Sequence, residues 1–334
     1  FMEKSLKKDI IINRLPVVIY FILIFAALMV IISAVAPMSN HEPKTTDTYS
    51  DFSTGWLNCE ESEASLNHLS GTTVIHRTIT AADCNKTLFF FAKTSNIKVF
   101  IDGVCQYRNN HFCSQFFGKT PGALFVNVLI PAKSDGKLLE IEIENPYKDD
   151  DSAKLDEMYI GDISDIIQFQ QQKRFNSFCI SFIIMVLGVV MLLLFIPLTR
   201  QKIVGIEFLN LGVTAFVSGL YLTTDGRYLQ LVFGDAHIYH VIAETTLRLS
   251  ILPFLIFLSQ MYESYSKRIS AILCVIGEIA FAGCFIGEIT EIMDYHETLF
   301  LVHVVFAISM LFILVSTIKG IVKAPKENIY HLSL

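Results

Sequence analysis

Six apolar runs, each about twenty residues long, constrain the fold more than any other feature of this sequence. They are residues 15–36, 178–198, 203–222, 237–261, 269–287 and 299–318. An α-helix needs about 20 apolar residues to cross a bilayer, and in lipid it satisfies its own backbone polar groups. A transmembrane barrel is excluded because the runs are continuous rather than alternating. With 52% apolar and only 17% charged residues, the sequence predicts a membrane protein and excludes a cytosolic enzyme or a disordered chain.

The first run, residues 15–36, allows two interpretations. It follows a basic start, residues 1–14, and ends in Ala34-Val35-Ala36, which fits a small-residue cleavage site. The apolar core of a cleavable signal peptide is only about 7–15 residues long. Because residues 15–36 form a longer run than that, an uncleaved transmembrane anchor is favoured over a signal peptide.

Basic residues fall almost entirely on one side of the membrane if the N-terminus is placed inside. The inner segments then carry Lys4, Lys7, Lys8, Arg14, Arg200, Lys202, Lys267, Arg268, Lys319, Lys323 and Lys326. The outer loops between spans carry only Arg227. Because Lys and Arg concentrate in cytoplasmic loops, we expect a protein of the cell membrane with a cytoplasmic N-terminus and a cytoplasmic tail at residues 323–334. The segment between the first two spans is then extracytoplasmic.

That segment is acidic and carries β-strand patterns. From residue 37 to residue 176 it holds 19 Asp and Glu against 13 Lys and Arg, a balance of −6, which argues against nucleic acid as a partner. Period-two alternation is typical of half-buried strands and is clearest in KLLEIEIEN. The strand candidates are Thr72–Thr80, Lys86–Lys93, Asn96–Asp102, Ala123–Ile130 and Lys137–Asn145. Asp102-Gly103 is a favoured hairpin pair, so residues 37–162 are predicted to form an antiparallel β-sandwich.

After this domain the pattern becomes helical. In residues 163–176, Ile163, Ile166 and Gln170 share one helical face. This predicts a short connector helix, which either passes a shift of the outer domain to the membrane or is a simple linker. Residues 177–322 are predicted to form a bundle of five transmembrane helices.

Four of the seven cysteines lie in the outer segment: Cys59, Cys84, Cys105 and Cys113. Disulfides persist outside the cytoplasm, and four cysteines allow three pairings that sequence cannot separate. Cys105 and Cys113 could pair across a short loop. Free thiols in a reducing setting are the alternative, and the spacing carries no zinc signature.

A series of motifs in this order is similar to a known family. The motifs are DFSTGW (Asp51–Trp56), IKVFIDGVCQYR (Ile97–Arg108), IPAKSDGKLLEIEIENPY (Ile130–Tyr147), MYIGD (Met158–Asp162), GLYLTTDGRYLQLVFG (Gly219–Gly234) and LRLSILPFLIFL (Leu247–Leu258). The chain resembles the bacterial seven-transmembrane receptors with diverse intracellular signalling modules. More narrowly, it looks like the sensor half of membrane GGDEF diguanylate cyclases.

The resemblance implies a jelly-roll outer domain, similar to galactose-binding and carbohydrate-binding modules, and a cytoplasmic cyclase that makes cyclic di-GMP. This chain departs from that pattern, since it contains no Gly-Gly dipeptide and only five spans follow the outer domain. We therefore expect a partial chain that lacks the last two spans and the output domain. A genuine short form is the alternative.

Ionisable residues within the spans are costly there and draw attention to a polar cluster. His240, Glu244 and Arg248 are spaced four apart, so they share one helical face, and Glu244 and Arg248 can pair. Glu207, Glu278 and His303 occur in other spans. These groups could stitch helices together, switch the bundle between two arrangements, or line a proton or solute path.

Aromatic residues of the outer domain offer a second candidate site. Trp56, Tyr107, Phe116 and Phe117 could form a face on which a sugar stacks, although aromatic residues more often fill cores.

No catalytic motif, metal site or cofactor site is recognisable in the sequence. The leading hypothesis is a membrane signal-transduction receptor that binds an extracellular small molecule, with a carbohydrate as first guess. It would relay binding to a cytoplasmic cyclase and could form a homodimer through that missing output domain. The alternatives are a membrane-anchored binding protein without enzymatic output and a transporter.

Overall fold

The structure is a computed structural model and describes residues 48–109, 122–147, 153–261, 266–290 and 292–323. Within these residues, two antiparallel β-sheets are followed by helices. The predicted anchor at residues 15–36, the N-terminal residues 1–14 and most of the tail lie outside the described part of the chain.

The described strands fall into two sheets. Their bounds are β1 Tyr49–Asp51, β2 Leu57–Asn58, β3 Thr72–Thr78, β4 Thr87–Lys93, β5 Asn96–Ile101, β6 Val104–Arg108, β7 Ala123–Leu129, β8 Leu138–Glu144 and β9 Lys154–Gly161. Sheet 1 has the order β1-β9-β4-β7, and sheet 2 has the order β2-β3-β8-β5-β6. All five strands predicted from alternation are present, as is the hairpin at Asp102-Gly103, where both residues have positive φ.

The two sheets pack face to face around one hydrophobic core. In β8, Leu139, Ile141 and Ile143 are fully buried while the intervening glutamates face away from the core. Strand β4 differs because almost every residue in it is buried. Leu88 and Phe90 enter the shared core, whereas Phe89 and Phe91 lie on the opposite face of sheet 1. That second face is covered by the helices.

The helices of the described chain are α1 Ile163–Arg200, α2 Ile206–Asp225, α3 Tyr228–Phe233, α4 Ala236–Met261, α5 Lys267–Ile289 and α6 Leu299–Lys323. All but the short α3 are long and apolar enough to cross a membrane. The predicted set of five spans is thus confirmed by length and composition.

Helix α1 contains both the predicted connector, residues 163–176, and the first span of the bundle. No break separates them: the helix runs for 38 residues, about 57 Å at 1.5 Å per residue. It starts at Asp162, whose carboxylate accepts a hydrogen bond from Ser164 N at 2.8 Å. The Ser164 hydroxyl also donates to this carboxylate, and the hydroxyl bond, followed by the backbone bond, lowers the pKa of Asp162. A separate connector element is therefore replaced by one helix that reaches from sheet 1 through the apolar region.

Helices α1 and α2 approach each other closely at glycines. A Cβ added to Gly188 would lie 2.3 Å from Phe216 N, and one added to Gly219 would lie 2.4 Å from Met185 N. Small residues that allow backbones to touch are typical of membrane helix packing. The outer faces of α5 and α6, by contrast, are exposed over most of their length.

Candidate functional site

The helix-facing side of sheet 1 is aromatic. Phe125 of β7 lies between Phe89 and Phe91 of β4, with ring centroids 5.3 and 5.4 Å apart. On β9, Tyr159 packs edge to face against Phe169 of α1 at 5.7 Å. The sheet thus presents rings to the helix ends, and charged side chains from the helices lie over these rings.

Glu157 in β9 is positioned by a β-bulge. Phe89 pairs with Tyr159 and Phe91 pairs with Asp156, so the strand carries one extra residue at this point. Glu157 has φ +52, the left-handed region that residues with a Cβ rarely adopt. A bulge re-aims side chains, and here the Glu157 carboxylate meets helix α1.

Two cations of α1 bind that carboxylate. Lys173 Nζ donates to Glu157 Oε1 at 2.9 Å, and Arg174 Nη2 donates to Oε2 at 2.6 Å. The Arg174 guanidinium also lies 5.0 Å from the Phe125 ring centroid and donates to Gln170. Burial on its own would raise the pKa of Glu157, but the hydrogen bonds and charges of Lys173 and Arg174 outweigh it and lower that pKa.

The turn between α2 and α3 holds the same sheet from a second side. Arg227 lies in the left-handed region at φ +63, and its guanidinium carbon is 3.9 Å from the Phe91 ring centroid. Burial lowers the pKa of Arg227 from its ordinary value, whereas the face of the Phe91 ring attracts the charged guanidinium.

Gln230 of α3 binds the free edge of β7. With its amide oriented to satisfy both groups, the Gln230 oxygen accepts from Phe125 N at 2.8 Å and the nitrogen donates to Ala123 O at 3.3 Å. We call Glu157, Lys173, Arg174, Arg227 and Gln230 the charged junction.

A second connection starts after β8. The Tyr147 hydroxyl donates to the Asp294 carboxylate, and both residues are buried, at 7% and 6% exposure. The other carboxylate oxygen of Asp294 accepts from Glu297 N at 2.9 Å, while Asp294 N donates to Glu297 at 3.0 Å. This reciprocal pair has the hydrogen-bond pattern of a capping box and closes the turn that precedes α6. Tyr147 therefore binds the turn that leads into a membrane helix.

Arg248 of α4 continues this connection into the bundle. Its side chain is almost fully buried and pairs with Glu244, with Nη1 and Oε2 2.6 Å apart. Nη2 donates to Tyr295 O at 2.6 Å, and the guanidinium carbon is 4.1 Å from the Tyr295 ring centroid. We call Tyr147, Asp294, Tyr295, Arg248 and Glu244 the polar chain. It links the sheets to the interior of the helices through consecutive contacts.

His240 lies at the same end of α4 and contacts the sheets directly. A Cβ added to Gly122, which has φ +76, would lie 2.4 Å from His240 Cγ. The imidazole thus occupies the space above the glycine that leads into β7. Of the six ionisable residues singled out within the spans, His240, Glu244 and Arg248 lie together on one helix.

The other three lie apart. Glu207 accepts from Gly205 N at the start of α2, and Glu278 and His303 are exposed on α5 and α6. A shared polar path through all six residues does not form in this arrangement.

The aromatic candidates for sugar contact have different surroundings. Trp56 is 1% exposed, donates to Phe52 O at 2.8 Å and packs edge to face on the Phe52 ring. Its ring therefore offers no face to solvent. Tyr107 on β6 is partly buried, and burial raises its pKa. Phe116 and Phe117 lie outside the described residues.

The cysteine predictions are only partly covered by the structure. Cys59, Cys84 and Cys105 are not bonded to one another. Cys113 lies outside the described residues, so its pairing with Cys105 stays a prediction. Within the described ranges, no group of three His, Cys, Asp or Glu side chains is arranged to hold a metal ion.

Sequence reasoning found some of these residues and missed others. Arg227 stood out as the lone basic residue of the outer loops, and the motif around it also contains Gln230. Glu157, Arg174 and the Tyr147–Asp294 contact were missed. For Arg174 the available signal was its charge within the helical pattern of residues 163–176. Comparison with protein-family models, curated proteins and solved structures finds no match.

Proposed function

We propose that this chain is the sensory and membrane part of a signal-transduction receptor. In this proposal the β domain is extracytoplasmic and binds a small molecule, with a carbohydrate as the first class to test. The helices relay binding to a cytoplasmic effector outside this chain. A GGDEF diguanylate cyclase is the effector class that the resemblance of the sequence implies.

The observation that carries the proposal is the double attachment of the β domain to the helices. A β domain that was only anchored to the membrane would need no more than its covalent connection to the first helix. Here the charged junction ties sheet 1 to α1 and α3, and the polar chain ties the end of β8 to α4 and α6. A displacement of sheet 1 changes contacts on α1 and α3, and a displacement of sheet 2 changes contacts on α4 and α6, which is what a relay requires.

The strained backbone of Glu157 supports the same proposal. A left-handed conformation at a residue with a Cβ costs about 1–2 kcal/mol, and such strain clusters at switching and binding sites. The ion pairs to Lys173 and Arg174 hold it in place. Loss of those pairs should let β9 relax and α1 move.

The test measures movement at the end of the bundle remote from the sheets. Spin labels at Arg200→Cys on α1 and Lys267→Cys on α5, in a chain whose native cysteines are replaced, report that distance by pulsed electron paramagnetic resonance in lipid vesicles. Glu157→Gln is expected to shift or broaden the distance distribution because it removes the charge that holds α1 to β9. In a protein that carries a cyclase, the same variant should alter cyclic di-GMP levels.

The matched control is Glu142→Gln. Glu142 of β8 pairs with Lys98 of β5 at 2.6 Å, so this ion pair lies within sheet 2 and joins no helix. It should leave the distribution unchanged. An unchanged distribution in Glu157→Gln as well would contradict the relay and favour a membrane-anchored binding protein without output.

A further inference from the structure

Five exposed cations lie at the end of the helix bundle that is remote from the sheets. They come from the end of α1, the turn that follows it, the start of α5 and the last turns of α6: Arg200, Lys202, Lys267, Arg268 and Lys319. We call these residues the basic rim. The ion pairs among the described residues all lie elsewhere, so no carboxylate of the described chain neutralises these side chains.

Contacts between helices bring the parts of the basic rim together. Near this end, Asn210 of α2 donates to Gln260 Oε1 of α4 at 2.8 Å. The Ser270 hydroxyl of α5 donates to Leu255 O of α4 at 3.1 Å. The turn between α1 and α2 and the start of α5 therefore flank the same end of α4, and their cations belong to one surface.

The positive charge of this end is not balanced within the chain. Among the described residues here, the acid is Glu207, whose carboxylate accepts from Gly205 N at 3.1 Å. The undescribed residues 1–14 carry four Lys and Arg against two Asp and Glu, residues 262–265 carry one acid, and residues 324–334 carry one charge of each sign. Any combination of these segments at this end leaves its net charge positive. The surface therefore attracts an anion from outside the chain.

Two cations of the basic rim also lie at the unfavourable end of a helix dipole. Lys267 and Arg268 are the first two residues of α5, and no acidic residue lies in that first turn. The N-terminal end of a helix carries partial positive charge, so cations are disfavoured there and anions are stabilised. An anion beside this turn is attracted both by the two side chains and by the helix.

The basic rim adjoins apolar side chains that face away from the bundle. Leu193 and Ile196 of α1 and Ile269 and Ile272 of α5 are all exposed. In a membrane such side chains lie against lipid tails, because α1 and α5 are long and apolar enough to cross it. The cations at the ends of these helices then lie at the depth of the lipid headgroups. Lipid phosphate groups are thus the anions within reach.

We propose that the basic rim binds the headgroups of anionic phospholipids, so that these lipids gather around this end of the bundle in preference to zwitterionic lipids. Clusters of four or more Lys and Arg beside a membrane helix are typical of anionic-lipid binding. A zwitterionic headgroup carries a cation that the rim repels, whereas phosphatidylglycerol presents its phosphate without one. The basic rim is separate from the charged junction and the polar chain, so this proposal does not depend on the relay.

Spin-labelled lipids measure this preference directly. The full chain is reconstituted in phosphatidylcholine vesicles, and electron paramagnetic resonance compares how strongly the protein immobilises spin-labelled phosphatidylglycerol and spin-labelled phosphatidylcholine. We expect phosphatidylglycerol to be retained more strongly in about 0.1 M salt. The preference should disappear in about 1 M salt, where the screening length falls from about 10 Å to about 3 Å. Equal retention of the two lipids at the lower salt, or a preference that salt does not weaken, would overturn the proposal.

A double variant locates the preference at the basic rim. Lys267→Gln combined with Arg268→Gln should lower the preference for phosphatidylglycerol about 2- to 5-fold, since one cation close to an anionic surface contributes up to about fivefold in affinity. Immobilisation of spin-labelled phosphatidylcholine should stay the same, which shows that the helices still pack as a bundle.

The matched control is Lys133→Gln combined with Lys137→Gln, which removes the same charge from the connection between β7 and β8. That connection lies at the end of the sheets away from the helices, because β7 contacts α3 through Ala123 at its opposite end. The control should keep the full preference. An unchanged preference in the variant at Lys267 and Arg268 would overturn the proposal. An equal loss in both variants would do so as well, because net charge rather than the basic rim would then be the cause.

Discussion

Glu157 illustrates how one residue combines backbone strain, charge and position. Its left-handed backbone turns the carboxylate out of the sheet, and the bulge gives it no cross-strand partner of its own. A glycine would adopt this backbone without strain, but it would carry no charge for Lys173 and Arg174. A glutamate at this position thus supplies the charge for the ion pairs, although its backbone is strained.

At Gly122 the space above the backbone is already filled by His240. Gly122→Ala is expected to lower the unfolding free energy by about 2–4 kcal/mol, which combines a strained left-handed residue with an overpacked contact. The melting temperature of the purified chain in detergent measures this loss. Gly136→Ala is the control, because Gly136 has φ +75 with nothing within 4 Å of the added Cβ. An equal loss in both variants would show that the His240 contact contributes nothing.

Residue-level prediction from sequence succeeded where the signal was local. The Glu244 and Arg248 pair follows from their spacing of four on one helix, and the two side chains do form an ion pair. Trp56 shows the limit of such reasoning. A lone tryptophan can form a sugar platform but more often fills a core. Its burial depends on Phe52 and the rest of the shared core, which the local sequence does not reveal.

Among the elements, the crossing of α1 and α2 depends most on the absence of side chains. Gly219→Leu is expected to abolish the close approach, because an added Cβ already lies 2.4 Å from the Met185 backbone and backbone cannot give way cheaply. The yield of monodisperse protein by size-exclusion chromatography should collapse. Gly283→Leu on α5, where nothing lies within 4 Å of the added Cβ, should preserve that yield. Normal yield of Gly219→Leu would contradict the packing described for these helices.

Strands and helices were predicted correctly from the sequence where their hydrophobic pattern is regular. The alternating strand β8 and the five apolar helices were predicted because the first alternates regularly and the others are apolar over about twenty residues. Strand β9, KLDEMYIG, escaped prediction because its core residues Leu155, Met158 and Ile160 are spaced by three and then by two. The bulge at Glu157 causes that irregularity. The same feature that hides the strand from a sequence reading therefore builds the charged junction, which sequence reading also missed.

For the whole molecule, the attachment of the β domain to the helices should weaken in acid. The pKa of Glu157 is lowered in the folded chain, so its contribution to stability is present above the unfolded pKa, about 4.3. It is lost as the pH falls through the folded pKa. The melting temperature of the parent chain should exceed that of Glu157→Gln by a constant amount above about pH 5 and converge with it toward pH 3. A difference that persists at pH 3 would show that the Glu157 charge is not its source.

The unbroken helix α1 has a geometric consequence for the molecule. Each residue advances a helix by 1.5 Å and turns it by about 100°. The residues that meet sheet 1, such as Phe169 and Arg174, and those that pack on α2, such as Gly188, therefore lie at fixed angles to one another around the helix axis. The number of residues between them fixes both an angle around the helix axis and a distance along it. The orientation of the β domain about the axis of α1 is therefore fixed relative to the membrane helices.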